Sequence, residues 1–373
     1  MVLNNFFKRI ETQYKNALPF VAYRKPNSAL VNALFQNDDE LYIAETFTEK
    51  GFVFSPFDDN ERTVLLPLNN SEKIEFVFDV ADDNPSEYKT NEASSEDKLN
   101  HINLINKGIE AVKSNQFTKV VLSRKETVLL LETNPISVFK RLLNTYPLAF
   151  VYCWYHPKVG LWLGATPETL LKIEGNRFSI MALAGTQDYK GTTNVIWKDK
   201  EINEQQIVTD FIIEHLKPSV ENLKVSEIET VKAGSLLHLR TMISAQLKPE
   251  TSNLKQLIFD LHPTPAVCGF PKSESKTFIL ENEHYNRDFY TGFLGELNFE
   301  TNIAPRSSKK NIENRAYTMA KKSTQLYVNL RCMQIQGHHA HIYVGGGITE
   351  TSNAEAEWEE TVSKSKIIKN ILQ

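Results

Sequence analysis

The apolar positions of residues 197–217, "WKDKEINEQQIVTDFIIEHLK", recur at helical spacing, and two acids share their stripe. With Glu201 at zero and roughly 100° per residue, Glu204 falls at about 300°, Val208 at about 340°, Phe211 at about 280° and Ile212 at about 20°. The pattern returns near the C-terminus in "TSNAEAEWEETVSKSKIIKNIL". With Glu357 at zero, Glu360 falls at about 300°, Lys364 at about 340°, Ile367 at about 280° and Ile368 at about 20°. Ser352 and Glu355 predict a capping box for this second helix. An unpaired charge taken out of water costs several kcal/mol, so inward acids need a compensating cation. Four carboxylates on two helices, with no His or Cys among them, suit a hard cation such as Mg²⁺. Periodicity alone also admits a second reading, in which each pair faces solvent and favours the positive end of its own helix.

Elsewhere strand patterns dominate. "ELYIAETF" and "GFVFSPF" follow a predicted opening helix, and the polar, turn-rich stretch 81–98, "ADDNPSEYKTNEASSEDK", then divides the chain. Beyond it, Ile102, Ile105, Ile109 and Val112 repeat at helical spacing. "FTKVVLSRKETVLLL", "AFVYCWY" turning at "HPKVG" into "LWLGA", "FSIMALAG", "LYVNLRCMQI" and "AHIYVGGG" read as strands, with a further helix near 274–283. His338 and His339 fall at a hairpin between two of these strands. Hairpin-like runs with irregularly placed helices predict an α+β fold with a large antiparallel sheet system rather than βαβ alternation. Residues 1–97 are expected to form an N-terminal α/β part integrated into the same fold, and residues 98–373 the catalytic domain.

Charge and cysteine usage narrow the function. A net charge of −4 with no basic tract gives no electrostatic case for nucleic acid or an anionic membrane. Three widely spaced cysteines without a CxxC or zinc spacing suit a reducing cytoplasm. No stretch approaches the length of an apolar membrane span, and no extended apolar heptad demands assembly, so a cytoplasmic monomer is expected. "YVGGGI" lacks the strand–GxGxxG–helix setting of a dinucleotide loop.

Nine ordered segments, including "KVVLSRK" (119–125), "LGATPETLL" (163–171), "ALAGT" (182–186), "KEINEQQIVTD" (200–210), "LHPTPAVCGFP" (261–271), "EHYNRDFYTGFLGEL" (283–297) and "EAEWEETVSK" (355–364), carry a resemblance. The chain resembles the chorismate-utilising enzymes over residues 98–373, and within them the isochorismate synthases. The resemblance implies a large antiparallel sandwich flanked by helices, with chorismate as substrate. It implies Mg²⁺ between the two acidic helices, ligated by Glu204 and Glu360 and supported by Glu201 and Glu357. Arg331 matches the family's anchor for a substrate carboxylate. Lys364, Gly185, Thr186, Gly345, Gly346, His262 and Tyr290 complete the implied substrate site.

The implied reaction moves a hydroxyl from C4 to C2 of the ring, so it needs a base to activate water and an acid to protonate the leaving hydroxyl. Lys119 matches the family's base and Glu168 its acid. The base must titrate below the free lysine value and the acid above the free carboxyl value. Without the resemblance, Lys119 is only a lysine in an alternating strand and Glu168 only an acid after Pro167. Anthranilate synthases typically have glutamine where Lys119 stands, and aminodeoxychorismate synthases have lysine where Ala184 stands; water is therefore the expected nucleophile, and no glutaminase subunit is expected. Salicylate synthase, which goes on to expel pyruvate, shares the same residues and stands as the alternative. The residues leave open whether the product feeds menaquinone or a siderophore. Three departures stand out: Gln205 for a frequent histidine, Gly346 for a common alanine, and a lengthened polar segment at 299–323, expected as a surface excursion with some helix.

Overall fold

The computed structural model describes residues 3–79, 94–130, 134–249, 253–303 and 319–372. Two large sheets carry the fold. Across the first, the strands run Gly269–Phe270, Lys119–Leu129, His339–Ile348, Cys332–Gln336, Gly160–Thr166, Phe150–His156, Phe20–Arg24, Leu30–Gln36 and Ser71–Val77. The second runs Val220–Val225, Leu236–Leu247, Arg177–Asp188, Thr169–Glu174, Met319–Val328, Phe293–Ile303, Gly51–Ser55, Val64–Pro67 and Tyr42–Ile43, with Glu229–Ala233 also paired to Leu236–Leu247. Every described pairing is antiparallel. The N-terminal strands extend both sheets, so residues before the polar divide share the sandwich.

The alternation of strand side chains explains why the central strands read as almost continuously apolar. In Phe150–His156, Phe150, Tyr152 and Trp154 face the other sheet, while Val151 and Cys153 face the helices outside. The inter-sheet layer is aromatic: Phe150 stacks on Tyr327 at 4.0 Å between centroids, and Phe54 on Phe289 at 4.2 Å. Helices Leu3–Lys15 and Pro135–Thr145 cover the outer face of the first sheet. Asp199–Leu216 and Leu254–Leu261 cover the second. Ser95–Lys113 and Lys272–Asn282 pack around the start of the Lys119 strand through Ile105, Val120, Leu122 and Ile279. No described helix is long and apolar enough to cross a membrane.

The α+β sandwich matches the expected fold, as do the opening helix, the helix near 274–283 and the hairpin at His338–His339. Local differences have local causes. Asn353, not Ser352, caps the C-terminal helix, its side chain accepting from the Ala356 amide, while Ser352 accepts from Thr349 instead. Residues 299–303 and 319–323 lie in two strands paired antiparallel to each other rather than in helix; 304–318 lie outside the described residues. Most of the polar divide, 80–93, also lies outside them. Helix Pro135–Thr145 escaped the periodicity reading although Asn134 caps it and Pro135 opens it.

Candidate active site

Two strand–helix units build the site, one from each sheet. Strand His339–Ile348 runs into helix Ala354–Lys369, which folds back over it; Arg177–Asp188 leads to helix Asp199–Leu216, which packs against it in the same way. The acid-bearing first turns of both helices thereby meet beside the Lys119 strand, whose Leu122 and Val121 lie opposite Gly346 and Gly347. Glycine makes that approach feasible. A Cβ at Gly347 would stand 2.9 Å from Lys119 Cε and 3.3 Å from Glu204 Oε1.

One cavity collects most of the expected side chains: Lys119, Glu168, Gly185, Thr186, Glu204, Tyr290, Arg331, Gly345, Gly346, Glu360 and Lys364 all line it. Glu357 is buried just behind, its Oε2 3.5 Å from the point a Gly346 Cβ would occupy. Ala184 also lines the cavity, so a small apolar group stands beside Gly185.

Two expected residues are not placed there. Glu201 turns back to accept the amide of Lys198 at 3.0 Å, acting as a cap at its own helix start, and it underlies Gly185 without lining the cavity. His262 is buried away from the cavity, edge-on to Phe293 at 5.1 Å, and neither of its ring nitrogens has a hydrogen-bond partner. Burial, with Lys272 and Lys276 nearby, pushes its imidazole down to about 3. In this position it packs on Phe293 rather than facing the cavity. Gln205, the departure beside Glu204, is likewise buried structure, donating to Thr241 Oγ1 at 2.9 Å.

Each inward acid faces an ammonium group, and here the structure supplies a residue the helical wheel overlooked. Lys200 forms an ion pair with Glu357 and reaches Glu204 Oε1 at 3.9 Å, bridging the two helices. Its signal was present, four residues before Glu204 on the same helix. Lys364 holds Glu360 Oε1 at 2.7 Å and donates to Gly345 O at 2.8 Å. Among the described residues no three His, Cys, Asp or Glu side chains stand at metal-ligating spacing; the lysines hold the acids instead. Even so, Glu204 Oε1 and Glu357 Oε2 are buried without a hydrogen bond.

Electrostatics separate the groups by role. Burial depresses the Lys119 ammonium, helped by Lys200 and Lys364 and opposed by Glu204, whose Oε2 lies 3.8 Å away. Burial raises the Glu168 carboxyl to about 8 against the pull of Lys119 and Arg331. Glu360 is pushed up by burial, but Lys364, Lys200 and Lys119 outweigh that and leave it below the ordinary carboxylate value. Burial raises Glu357, with Lys200 opposing. A lysine inclined to lose its proton and a glutamic acid inclined to keep one thus share a cavity, which is the arrangement general acid–base chemistry requires.

A family model described as chorismate binding enzyme matches residues 53–310, and a second of the same description matches 315–370. Isochorismate synthase MenF of Haemophilus influenzae is 25% identical over 279 residues, covering 70% of this chain and 57% of that protein. This chain spans between 49% and 60% of the length of that protein and two further isochorismate synthase relatives. The fold recurs in the crystal structure of DhbC from Bacillus anthracis, with a TM-score of 0.75, 19% identity, and coverage of 97% of this chain and 98% of that one. It recurs also in MenF, the menaquinone-specific isochorismate synthase from Escherichia coli, with a TM-score of 0.74, 18% identity, and coverage of 95% and 89%.

Proposed function

We propose that this chain, which belongs to the chorismate-binding enzymes, is a Mg²⁺-dependent isochorismate synthase. The observation that carries the reading is the pairing of Lys119, depressed by burial, with Glu168, raised to about 8, in one cavity rimmed by cations. At neutral pH Glu168 then holds a proton, while burial favours the neutral form of Lys119. Lys119 takes a proton from the water that attacks C2; the double bonds shift, and Glu168 gives its proton to the departing C4 hydroxyl. One water is consumed and one released, so the reaction is an isomerisation. The 25% identity to isochorismate synthase MenF of Haemophilus influenzae, over 70% of this chain, supports this reading over other chemistry on the scaffold.

The donor set fits the metal. Buried carboxylate oxygens without a hydrogen bond, no sulfur or imidazole among the acids, and a lysine ammonium already drawn between Glu204 and Glu357 describe a place that attracts positive charge, as a hard cation supplies. Glu204 and Glu360 would hold Mg²⁺, with Glu357 behind them; Glu201, committed to its helix cap, drops out of the set. When bound, the ion supplies positive charge that fixes a substrate carboxylate. Arg331 takes the second carboxylate, and Lys364 holds Glu360 in place while bonding the Gly345 carbonyl.

The test is to incubate the protein with chorismate with and without Mg²⁺ and follow products by chromatography. Isochorismate accumulating only with the metal is expected. Salicylate with stoichiometric pyruvate would replace the reading with a salicylate synthase, and chorismate left unchanged in both would remove it.

A further inference from the structure

His238 stands in an apolar strand, "LLHLR", and nothing in its periodicity marks it as functional. The structure places it at the junction of two substrate-facing elements. Its strand, Leu236–Leu247, pairs with Arg177–Asp188, and the register slips between Ala184 and Gln187. The slip takes Gly185 and Thr186 out of the ladder, and Gly185 adopts a φ of +73°, a conformation glycine accepts readily. The Gly185 carbonyl then lies 2.9 Å from His238 Nδ1. On the opposite side of the ring, Arg331 Nη2 lies 2.7 Å from Nε2, while Nη1 donates to the Ala233 carbonyl at 3.2 Å.

Hydrogen-bond chemistry fixes the protonation of this ring. A backbone carbonyl only accepts, so Nδ1 must carry the proton. A guanidinium only donates, so Nε2 must present its lone pair. An imidazolium would set donor against donor across the Arg331 contact. We propose that His238 is a positioning residue, locked as the neutral Nδ1–H tautomer so that Arg331 and the Gly185–Thr186 bulge are held as one carboxylate-receiving unit. Burial, with the neighbouring Arg331 charge, also pushes the imidazole down to about 3, in keeping with a neutral ring. Both nitrogens are committed, so the ring has no proton to offer substrate.

The role rests on the reading of this cavity as a chorismate site. Because the bonds to Arg331 and Gly185 exist before ligand arrives, their loss should weaken ground-state and transition-state binding alike. The signature is a change in KM with kcat nearly constant. Asparagine and glutamine separate the two bonds. In His238→Gln the side-chain carbonyl can reach the position of Nε2 and accept from Arg331. In His238→Asn the shorter amide can serve Gly185 but leaves Arg331 without its acceptor.

The experiment joins a spectroscopic and a kinetic readout on the full chain. In ¹⁵N-histidine-labelled protein without ligand, the His238 ring, assigned by its absence from His238→Gln, is expected to show a protonated Nδ1 and a bare Nε2, unchanged from pH 5 to pH 8. His238→Asn is expected to raise KM for chorismate by about 10- to 100-fold, the loss of one charged hydrogen bond, with kcat within about threefold. His238→Gln should hold KM within about fivefold. An Nε2–H ring, a protonated ring at pH 6, or a His238→Asn variant that loses kcat at constant KM would overturn the proposal. If no variant and no wild-type protein turns over chorismate, the function assigned to the cavity fails, whereas the ring spectrum still decides the tautomer.

Discussion

The two walls of the cavity treat charge differently. On the helix wall every acid has an ammonium partner: Glu357 and Glu204 have Lys200, and Glu360 has Lys364. On the sheet wall Lys119 has only Glu204 Oε2, 3.8 Å away, and Glu168 has no ion pair among the described residues; burial moves both from their ordinary values, the lysine down and the acid up to about 8. On the helix wall ion pairing opposes burial and builds a binding surface; on the sheet wall burial outweighs pairing and moves the lysine and the acid in the directions that proton exchange requires. The division of labour between binding and chemistry follows from how far ion pairing offsets the burial of each charge.

The largest expected effect is at the sheet wall. Glu168→Gln should cut turnover by about 10³-fold, as loss of a general acid does. It should also raise stability. The folded carboxyl binds its proton up to about 8, whereas an unfolded one releases it near 4.5, so between those values wild-type stability falls as pH rises. Glutamine has no such proton, and its advantage in urea melts should grow from pH 5 to pH 8, reaching on the order of 3 kcal/mol. A constant difference across that window would show that Glu168 titrates normally. The same acid predicts an alkaline limb in the rate profile near pH 8.

On the helix wall, Glu360→Gln and Glu204→Gln should each lower activity by about 100-fold and move the Mg²⁺ titration to higher concentration. An unchanged titration in both would remove the metal site from this wall. Lys200→Met should destabilise the metal-free chain by about 3 kcal/mol, because two buried carboxylates lose their shared partner. Adding Mg²⁺ should raise its melting temperature more than it raises that of the wild type. Glu201→Gln sharpens the contrast within one helix: it should cost about 1 kcal/mol through a weakened cap, yet leave the metal titration in place. The smallest effect belongs to Gly346→Ala, whose Cβ would meet Glu357 and Glu360 at ordinary contact distances of 3.5 and 3.9 Å. Its activity should stay within about threefold of wild type, whereas Gly347→Ala, crowding Lys119 at 2.9 Å, should lose roughly tenfold or more.

Much of this arrangement was legible in the chain. Alternation in residues 119–129 and 150–166 marked the strands because each face of those strands meets a different apolar layer. The helical wheels marked Glu204, Glu357 and Glu360 as inward. The wheel misplaced Glu201, since position three of a helix also faces its own uncapped amides, and a carboxylate there finds a partner without crossing to another element. Helix Leu254–Leu261 was too short for its period to stand out. The motif carrying His262 reads the same whether the ring lines the cavity or packs on Phe293.

By itself the sequence determined the kinds of element, the inward face of the two acidic helices, and the membership that brings Lys119 and Glu168 forward. Tertiary structure alone decided which acids reach the cavity, that Lys200 bridges the helices, and that His238 joins Arg331 to Gly185. The reason is physical. Periodicity is a property of neighbours a few residues apart, whereas the contacts that join the two helices and tie His238 to Arg331 and Gly185 are made between groups 53 to 157 residues apart along the chain, and only close packing brings these within hydrogen-bond reach.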